Sequence, residues 1–168
     1  IKLNFMNKEI ILKYNQPGPR YTSYPPATFF HEGYTSKNYI EDLAISNNQQ
    51  PDNISLYVHI PFCPQLCHFC GCNTSHVINE EFTTRYVNAI IKEIDTVASQ
   101  LDNKRKVTQI HWGGGTPNAI HLDLVEKIMD RFSRHFSFAE KNEIAMECNP
   151  AYLEFDHILS LKKMGFNR

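Results

Sequence analysis

The chain has 168 residues, enough for one ordinary domain with a sizeable hydrophobic core. Hydrophobic residues make up 42% of it and the formal net charge is −1, which excludes an intrinsically disordered chain and gives no indication of a nucleic-acid-binding surface. No apolar run reaches membrane-spanning length and the first residues lack the apolar stretch of a secretory signal, so we expect a cytoplasmic protein without a membrane span.

The N-terminal segment predicts an ordered but irregular leader. Residues 15–36 read NQPGPRYTSYPPATFFHEGYTS, in which four prolines exclude a helix and favour an extended arm rich in aromatic side chains. Residues 37–45 predict a short helix, and SNNQQPDN (46–53) predicts a loop. We therefore expect residues 1–53 to form an arm and a short helix that cover the remainder, residues 54–168.

From residue 54 onward, strand and helix patterns alternate. Apolar, β-branched runs predict strands at 54–60, 106–112 and 143–148, and helical periodicity predicts helices at 80–101, 121–136 and 155–166, the last stopped by Gly165. This β-α-β-α-β-α order is typical of an α/β fold with parallel strands and helical crossovers. Three such units cannot close a barrel, so we expect the chain to be the N-terminal part of a longer protein.

The unusual residues all follow predicted strands. Four cysteines follow the first strand, Gly113-Gly114-Gly115-Thr116 follows the second, and Glu147 closes the third. Because the carboxyl ends of parallel strands share one face, where active sites of such folds lie, we expect these stretches to meet in space.

The cysteine cluster predicts a metal centre. The total of five is odd and the loops between neighbouring cysteines are tiny, so disulfides are disfavoured. Cys63, Cys67 and Cys70 form C-x3-C-x2-C, which fits a [4Fe–4S] cluster held by three thiolates with the fourth iron open to a small molecule. The alternative is a structural zinc site that also uses Cys72.

Four stretches carry a family resemblance from about residue 14 to the end of the chain. GPRYTSYP (18–25), LYVHIPFCPQLCHFCGCN (56–73), HWGGGTPN (111–118) and MECNP (146–150) resemble the oxygen-independent coproporphyrinogen III oxidases, which are radical S-adenosylmethionine (SAM) enzymes. The related haem chaperones share HIPFC and GGGTP but lack Cys72 and the PRYTSYP arm. The resemblance implies a partial TIM-type barrel, of which the first three βα units are present.

For cofactors, the resemblance implies a [4Fe–4S] cluster on Cys63, Cys67 and Cys70 and one or two SAM molecules. Gly114 and Glu147 would contact the cluster-bound SAM, and Gly115 and Thr116 would face a second one. Tyr57 and Phe69 match further SAM-contacting positions; the alternative for both is a core aromatic.

The resemblance also implies the reaction. An electron from the reduced cluster would cleave SAM, and the resulting 5′-deoxyadenosyl radical would take hydrogen from a propionate of coproporphyrinogen III. Loss of CO2 and of one electron to an acceptor would leave a vinyl group, and two such rounds would give protoporphyrinogen IX. We expect an electron donor of the flavodoxin or ferredoxin type and a monomeric enzyme. A haem chaperone without decarboxylation and a structural metal-binding module are the alternatives.

Other candidates are less determined by the sequence. Cys72 and His59 are candidate catalytic residues; the alternatives are simple packing and a core histidine with both ring nitrogens satisfied. Arg20 is the candidate for binding substrate carboxylates, against an ordinary surface arginine. We interpret His111 as structural and Cys148 as a buried small hydrophobic residue.

Overall fold

The structure is a computed structural model that describes residues 8–15, 27–76 and 79–168. By its internal contacts the chain divides into two units, residues 1–36 and 37–168. In the first unit a short helix, α1 (Lys8–Tyr14), precedes a 3-10 turn at Ala27–Phe29. Arg20 and the whole PRYTSYP stretch (19–25) lie outside the described residues, so the boundary at residue 53 and the covering role of the arm stay predictions.

The second unit is built on one parallel sheet. Helix α2 (Ser36–Ser46) leads into β1 (Ile54–Ile60), α3 (Glu80–Ala98), β2 (Lys106–Gly114), α4 (Leu122–His135), β3 (Ser137–Met146) and α5 (Phe155–Lys163). The strand order is β1-β2-β3, and both pairs are parallel. The predicted α/β fold with helical crossovers is therefore confirmed. Among the described helices, none combines the length and hydropathy needed to cross a bilayer.

The two faces of the sheet differ in character. Val58 pairs with Trp112, and Leu56 pairs with Ile110; this set faces the helices and forms the core. Trp112 is fully buried and meets the ring of Phe166 edge-on at 5.7 Å. The alternate residues project to the opposite face because side chains alternate along a strand. They are mostly polar: Tyr57, His59, Gln109, His111, Glu143 and Glu147.

Helices α3 and α4 are held together by both apolar and charged contacts. The side chain of Asn79 accepts from the Glu81 amide and caps α3, whose buried positions include Val87 and Ile94. Across the helix pair, Asp95 of α3 accepts two hydrogen bonds from the Arg131 guanidinium and one from His135. The charged contacts therefore hold α3 against α4, while Val87 and Ile94 join the hydrophobic core.

Strand β3 departs from its predicted span. It begins at Ser137 rather than residue 143 and ends at Met146 rather than 148. Its pairing jumps from Val107–Phe138 to Gln109–Glu143, so residues 139–142 bulge out of the ladder and break the alternation on which the prediction depended. Beyond α5, the Arg168 amide donates to the Ile144 carbonyl and the Arg168 carbonyl accepts from the Met146 amide, a parallel pattern along β3.

Candidate active site

The cysteine loop begins where β1 ends and is closed by backbone hydrogen bonds. The Cys63 amide donates to the Ser75 carbonyl at 2.9 Å, and the Ser75 amide donates to the Pro61 carbonyl at 2.6 Å. Phe62 and Ser75 thereby form a parallel bridge at the base of the loop. Cys67, Cys70 and Cys72 consequently lie on one short, closed excursion next to the carboxyl end of β1.

The glycine run after β2 is fastened to the same end of β1. The Gly115 amide donates to the Ile60 carbonyl at 2.8 Å, and the Thr116 amide donates to the Phe62 carbonyl at 2.9 Å. A Cβ on Gly115 would lie 2.8 Å from Cys63 Sγ and 2.7 Å from the Phe62 carbonyl oxygen. Glycine is required here because the backbone of one loop lies directly against the first cysteine of the other.

Gly114 has a second reason to be glycine. Its φ is +112°, a conformation that other residues rarely adopt, and a Cβ there would be 2.8 Å from the His59 ring. The predicted close approach of this loop to the cysteine region is therefore real, and it leaves backbone rather than side chains at the strand ends.

The described cysteines are all free, and their environments differ. Cys63 is buried, with the Thr116 hydroxyl 3.7 Å from its sulfur, whereas Cys67, Cys70 and Cys72 are exposed. Contact with the Cys70 thiol raises the pKa of the Cys72 thiol. Within residues 8–15, 27–76 and 79–168, no three His, Cys, Asp or Glu side chains converge in a way that could hold a single metal ion.

His59 connects β1 to the far end of the cysteine loop. Its Nε2 lies 2.8 Å from the Asn73 carbonyl oxygen, which can only accept, so this nitrogen carries the hydrogen. In the neutral ring, Nδ1 then accepts from the Tyr57 hydroxyl at 3.1 Å. Both ring nitrogens thus have partners, but His59 is only half-buried and is not a core histidine; its candidacy as a catalytic residue stays a prediction.

Glu147 lies at the end of β3 and is hydrogen-bonded to two residues of β2, Trp112 and His111. Its amide donates to the Trp112 carbonyl at 2.9 Å, and its Oε1 lies 3.1 Å from His111 Nε2. The His111 ring stacks on Tyr57 with centroids 6.0 Å apart and 15° between the planes. Desolvation, followed by the Glu147 charge, raises the pKa of Tyr57. All three strands therefore contribute to one polar patch, which consists of Tyr57 from β1, His111 from β2 and Glu147 from the end of β3.

Asn118 anchors the loop that follows Glu147. It is 5% exposed, and its Nδ2 donates to the carbonyls of Asn149 and Tyr152 at 3.0 and 3.1 Å. Its Oδ1 accepts from the Asn149 amide at 2.8 Å. One buried side chain therefore fastens the loop after β3 to the loop after β2.

The structure decides the burial of three residues whose environment the sequence left open or predicted wrongly: Tyr57, Phe69 and Cys148. Phe69 is 93% exposed and Tyr57 60% exposed, so neither is a core aromatic. Cys148 is exposed, two residues beyond the last residue of β3, and its interpretation as a buried hydrophobic residue is wrong. His111 and Asn118 were not predicted to belong to the site. Alternation along β2 places His111 on the face of Gly113, but its partner depends on the register of β3.

Comparison with known proteins yields consistent matches. The profile of the Radical SAM superfamily matches residues 57–168. The chain is 42% identical over 160 residues to an oxygen-independent coproporphyrinogen III oxidase of Synechocystis sp., covering 95% of this chain and 34% of that protein. It is 39% identical over 160 residues to the protein of that name from Escherichia coli, again covering 95% and 34%. A protein of the same name from Mannheimia haemolytica is 42% identical over 142 residues, with 84% of this chain and 94% of that sequence covered.

A solved structure agrees with these matches. The coproporphyrinogen III oxidase HemN from Escherichia coli, described as a radical SAM enzyme, has a TM-score of 0.78 and 34% identity, covering 95% of this chain and 35% of that one. This likeness confirms the predicted partial TIM-type barrel. The chain spans about a third of the length of the Synechocystis and Escherichia coli relatives.

Proposed function

Because the chain belongs to the radical SAM superfamily and, within it, to the oxygen-independent coproporphyrinogen III oxidases, we propose that it is the cofactor-binding part of an enzyme that converts two propionates of coproporphyrinogen III to vinyl groups. The product would be protoporphyrinogen IX, a precursor of haem. The observation that carries the proposal is the meeting of the cysteine loop, the glycine run and Glu147 at the carboxyl ends of three parallel strands.

The donor set fits a [4Fe–4S] cluster held by Cys63, Cys67 and Cys70. Each thiolate of such a cluster binds a different iron, so the sulfurs need not converge on one point. A zinc ion needs four ligands around a single centre, and within the described part of the chain no such group of side chains is found. The buried Cys63, backed by Gly115, would be the fixed ligand, and the exposed Cys67 and Cys70 would complete the set.

The SAM-binding residues would surround this cluster. Gly114 has no side chain and its backbone lies close to His59, so this backbone would face the cluster-bound SAM. Glu147 would accept hydrogen bonds from the polar groups of the same SAM. Tyr57, on the same patch as Glu147, and the exposed Phe69 would add aromatic contacts. Gly115 and Thr116 would contact a second SAM if two are bound.

Held by these residues, a reduced cluster and SAM would supply the radical chemistry that removes hydrogen from a substrate propionate. The protein residues orient these reactants. His59 would hold the end of the cysteine loop through the Asn73 carbonyl, and Cys72 would not be a cluster ligand but a candidate catalytic residue. Arg20 in the arm would pair with a propionate. We further propose a cytoplasmic monomer that receives electrons from a flavodoxin- or ferredoxin-type protein.

The assignment of the cluster can be tested by ligand replacement. In the full-length protein reconstituted anaerobically with iron and sulfide, we expect Cys63→Ser, Cys67→Ser and Cys70→Ser each to lose most of the iron. Cys72→Ser, the matched control, should keep it. Iron loss in the Cys72 variant would make that residue a ligand and contradict the three-thiolate arrangement.

The reaction itself is tested by turnover. We expect the full-length reduced protein with SAM to release CO2 from coproporphyrinogen III, and the electron paramagnetic resonance signal of its reduced cluster to change when SAM is added. A protein that binds haem, releases no CO2 and still carries the cluster would be a haem chaperone instead.

A further inference from the structure

His111 lies in the polar patch and is hydrogen-bonded to Glu147. Its Nε2 is 3.1 Å from Glu147 Oε1, and its ring is stacked on Tyr57. The carboxylate can only accept, so Nε2 carries the donated hydrogen. Neither side chain is buried: His111 is 39% exposed and Glu147 58% exposed.

The register of the sheet explains why these two residues meet. His111 of β2 lies directly opposite Ala145 of β3. The side chain of Ala145 ends at Cβ, so the imidazole can extend past it to the next residue on the same face, Glu147. A larger side chain at position 145 would occupy this path.

The other carboxylate on this face of β3 already has partners. Glu143 accepts from Gln109 Nε2 at 2.9 Å and from the Arg168 guanidinium at 2.9 Å. These two bonds, in that order, are the main causes that lower the pKa of Glu143. Gln109 and Arg168 therefore donate to Glu143. Among the described residues on this face, His111 is the one whose side chain lies within hydrogen-bond distance of the Glu147 carboxylate.

We propose that His111 is a positioning residue for Glu147: its hydrogen bond to Oε1 fixes the rotation of the carboxylate so that Oε2 is presented to the amino or hydroxyl groups of SAM. Oε2 lies beside Gly113, 3.1 Å from where a Cβ would be, so the absence of a side chain there keeps this oxygen accessible. The inference rests on the proposed function, because it concerns how Glu147 meets the cofactor.

A purely structural role for the pair predicts unchanged SAM binding on its removal, whereas a positioning role predicts weaker binding. Exposed ion pairs and hydrogen bonds contribute little to folding stability, so removing this one should leave the fold intact. A preorganised hydrogen bond to a charged ligand-binding group matters more, because its loss frees the carboxylate to adopt rotamers that do not face the ligand.

The experiment measures the dissociation constant of SAM for the reconstituted full-length protein, with iron content and thermal unfolding recorded for every variant. We expect His111→Phe, which keeps the aromatic stack, to weaken SAM binding about tenfold at unchanged iron content. His111→Gln, whose amide nitrogen can replace Nε2 as donor, should recover most of the affinity. In a Glu147→Ala background, His111→Phe should change the affinity less than twofold, because the two residues act as a unit.

His135→Phe is the matched control. It removes another histidine–carboxylate pair, with His135 Nε2 2.8 Å from Asp95 Oδ1, on α4 and α3 rather than at the strand ends. Its SAM affinity should equal that of the unsubstituted protein.

Three results would overturn the inference: unchanged affinity in His111→Phe, equal losses in the Phe and Gln variants, or losses that multiply in the double variant. If Glu147→Ala itself binds SAM normally, the role of Glu147 in the proposed function fails and the positioning role fails with it. If Glu147→Ala is impaired but His111→Phe is not, only the positioning role is lost.

Discussion

Replacing Gly115 by alanine would test whether close backbone approach at the strand ends holds this site together. A Cβ at this position would lie 2.7 Å from the Phe62 carbonyl oxygen, 2.8 Å from Cys63 Sγ and 2.9 Å from the Pro61 carbonyl oxygen. Two of the three neighbours are backbone atoms at the end of β1, which cannot rotate away. The loops must therefore separate by roughly half an ångström to restore ordinary contact distances.

The cost follows from what this separation breaks. Inserting a methyl group into a tightly packed position costs about 1–3 kcal/mol. Lengthening the hydrogen bonds from the amides of Gly115 and Thr116 to the carbonyls of Ile60 and Phe62 adds about 0.5–1.5 kcal/mol for each bond lost. We expect the free energy of unfolding to fall by about 2–6 kcal/mol, and the midpoint of thermal unfolding by roughly 4–24 °C.

Denaturant unfolding of the metal-free protein measures this change, followed by the fluorescence of Trp112, which is the chain's one tryptophan and is fully buried. Gly71→Ala is the matched control, since a Cβ at Gly71 would meet nothing within 4 Å and the residue lies in the same cysteine loop. It should change stability by less than about 0.5 kcal/mol. If Gly115→Ala is as stable as Gly71→Ala, the contact between the glycine run and Cys63 does not support the site as described.

Two further predictions concern contacts away from the cysteines. Asn118→Ala leaves two carbonyls and one amide of the loop after β3 without their buried partner. Chemical denaturation should therefore show that the free energy of unfolding falls by about 1–3 kcal/mol, and an unchanged midpoint would mean that other contacts hold this loop. Hydrogen bonding to Arg131 is the main cause that lowers the pKa of Asp95, so this carboxylate stabilises the folded state above the usual aspartate pKa and ceases to do so as the pH falls below about 4. The stability advantage of the unsubstituted protein over Asp95→Asn should therefore shrink between pH 6 and pH 3, and a constant difference across unfolding curves at these pH values would contradict the assigned ion pair.

Much of the architecture could be predicted because its signals are local. The apolar runs of β1 and β2 and the periodicity of α3 and α4 depend only on neighbouring residues, and the structure reproduces them within a few residues. Gly165, predicted to stop α5, adopts a φ of +98° just after that helix. The start of β3 was missed because residues 139–142 bulge from the ladder, and the strand's alternation is interrupted there.

The chemical groups available at the site can be read from the order of residues alone: free thiols in a short loop, a glycine run and a carboxylate, each placed directly after a strand. Which of these groups touch depends on how the strands and loops pack in three dimensions. His111 and Glu147 are 36 residues apart in the chain, and Asn118 and Asn149 are 31 apart. The first pair depends on the register between β2 and β3 and on the small side chain of Ala145, and the second on how the loops after these strands meet. No pattern within one strand encodes the register of its neighbour.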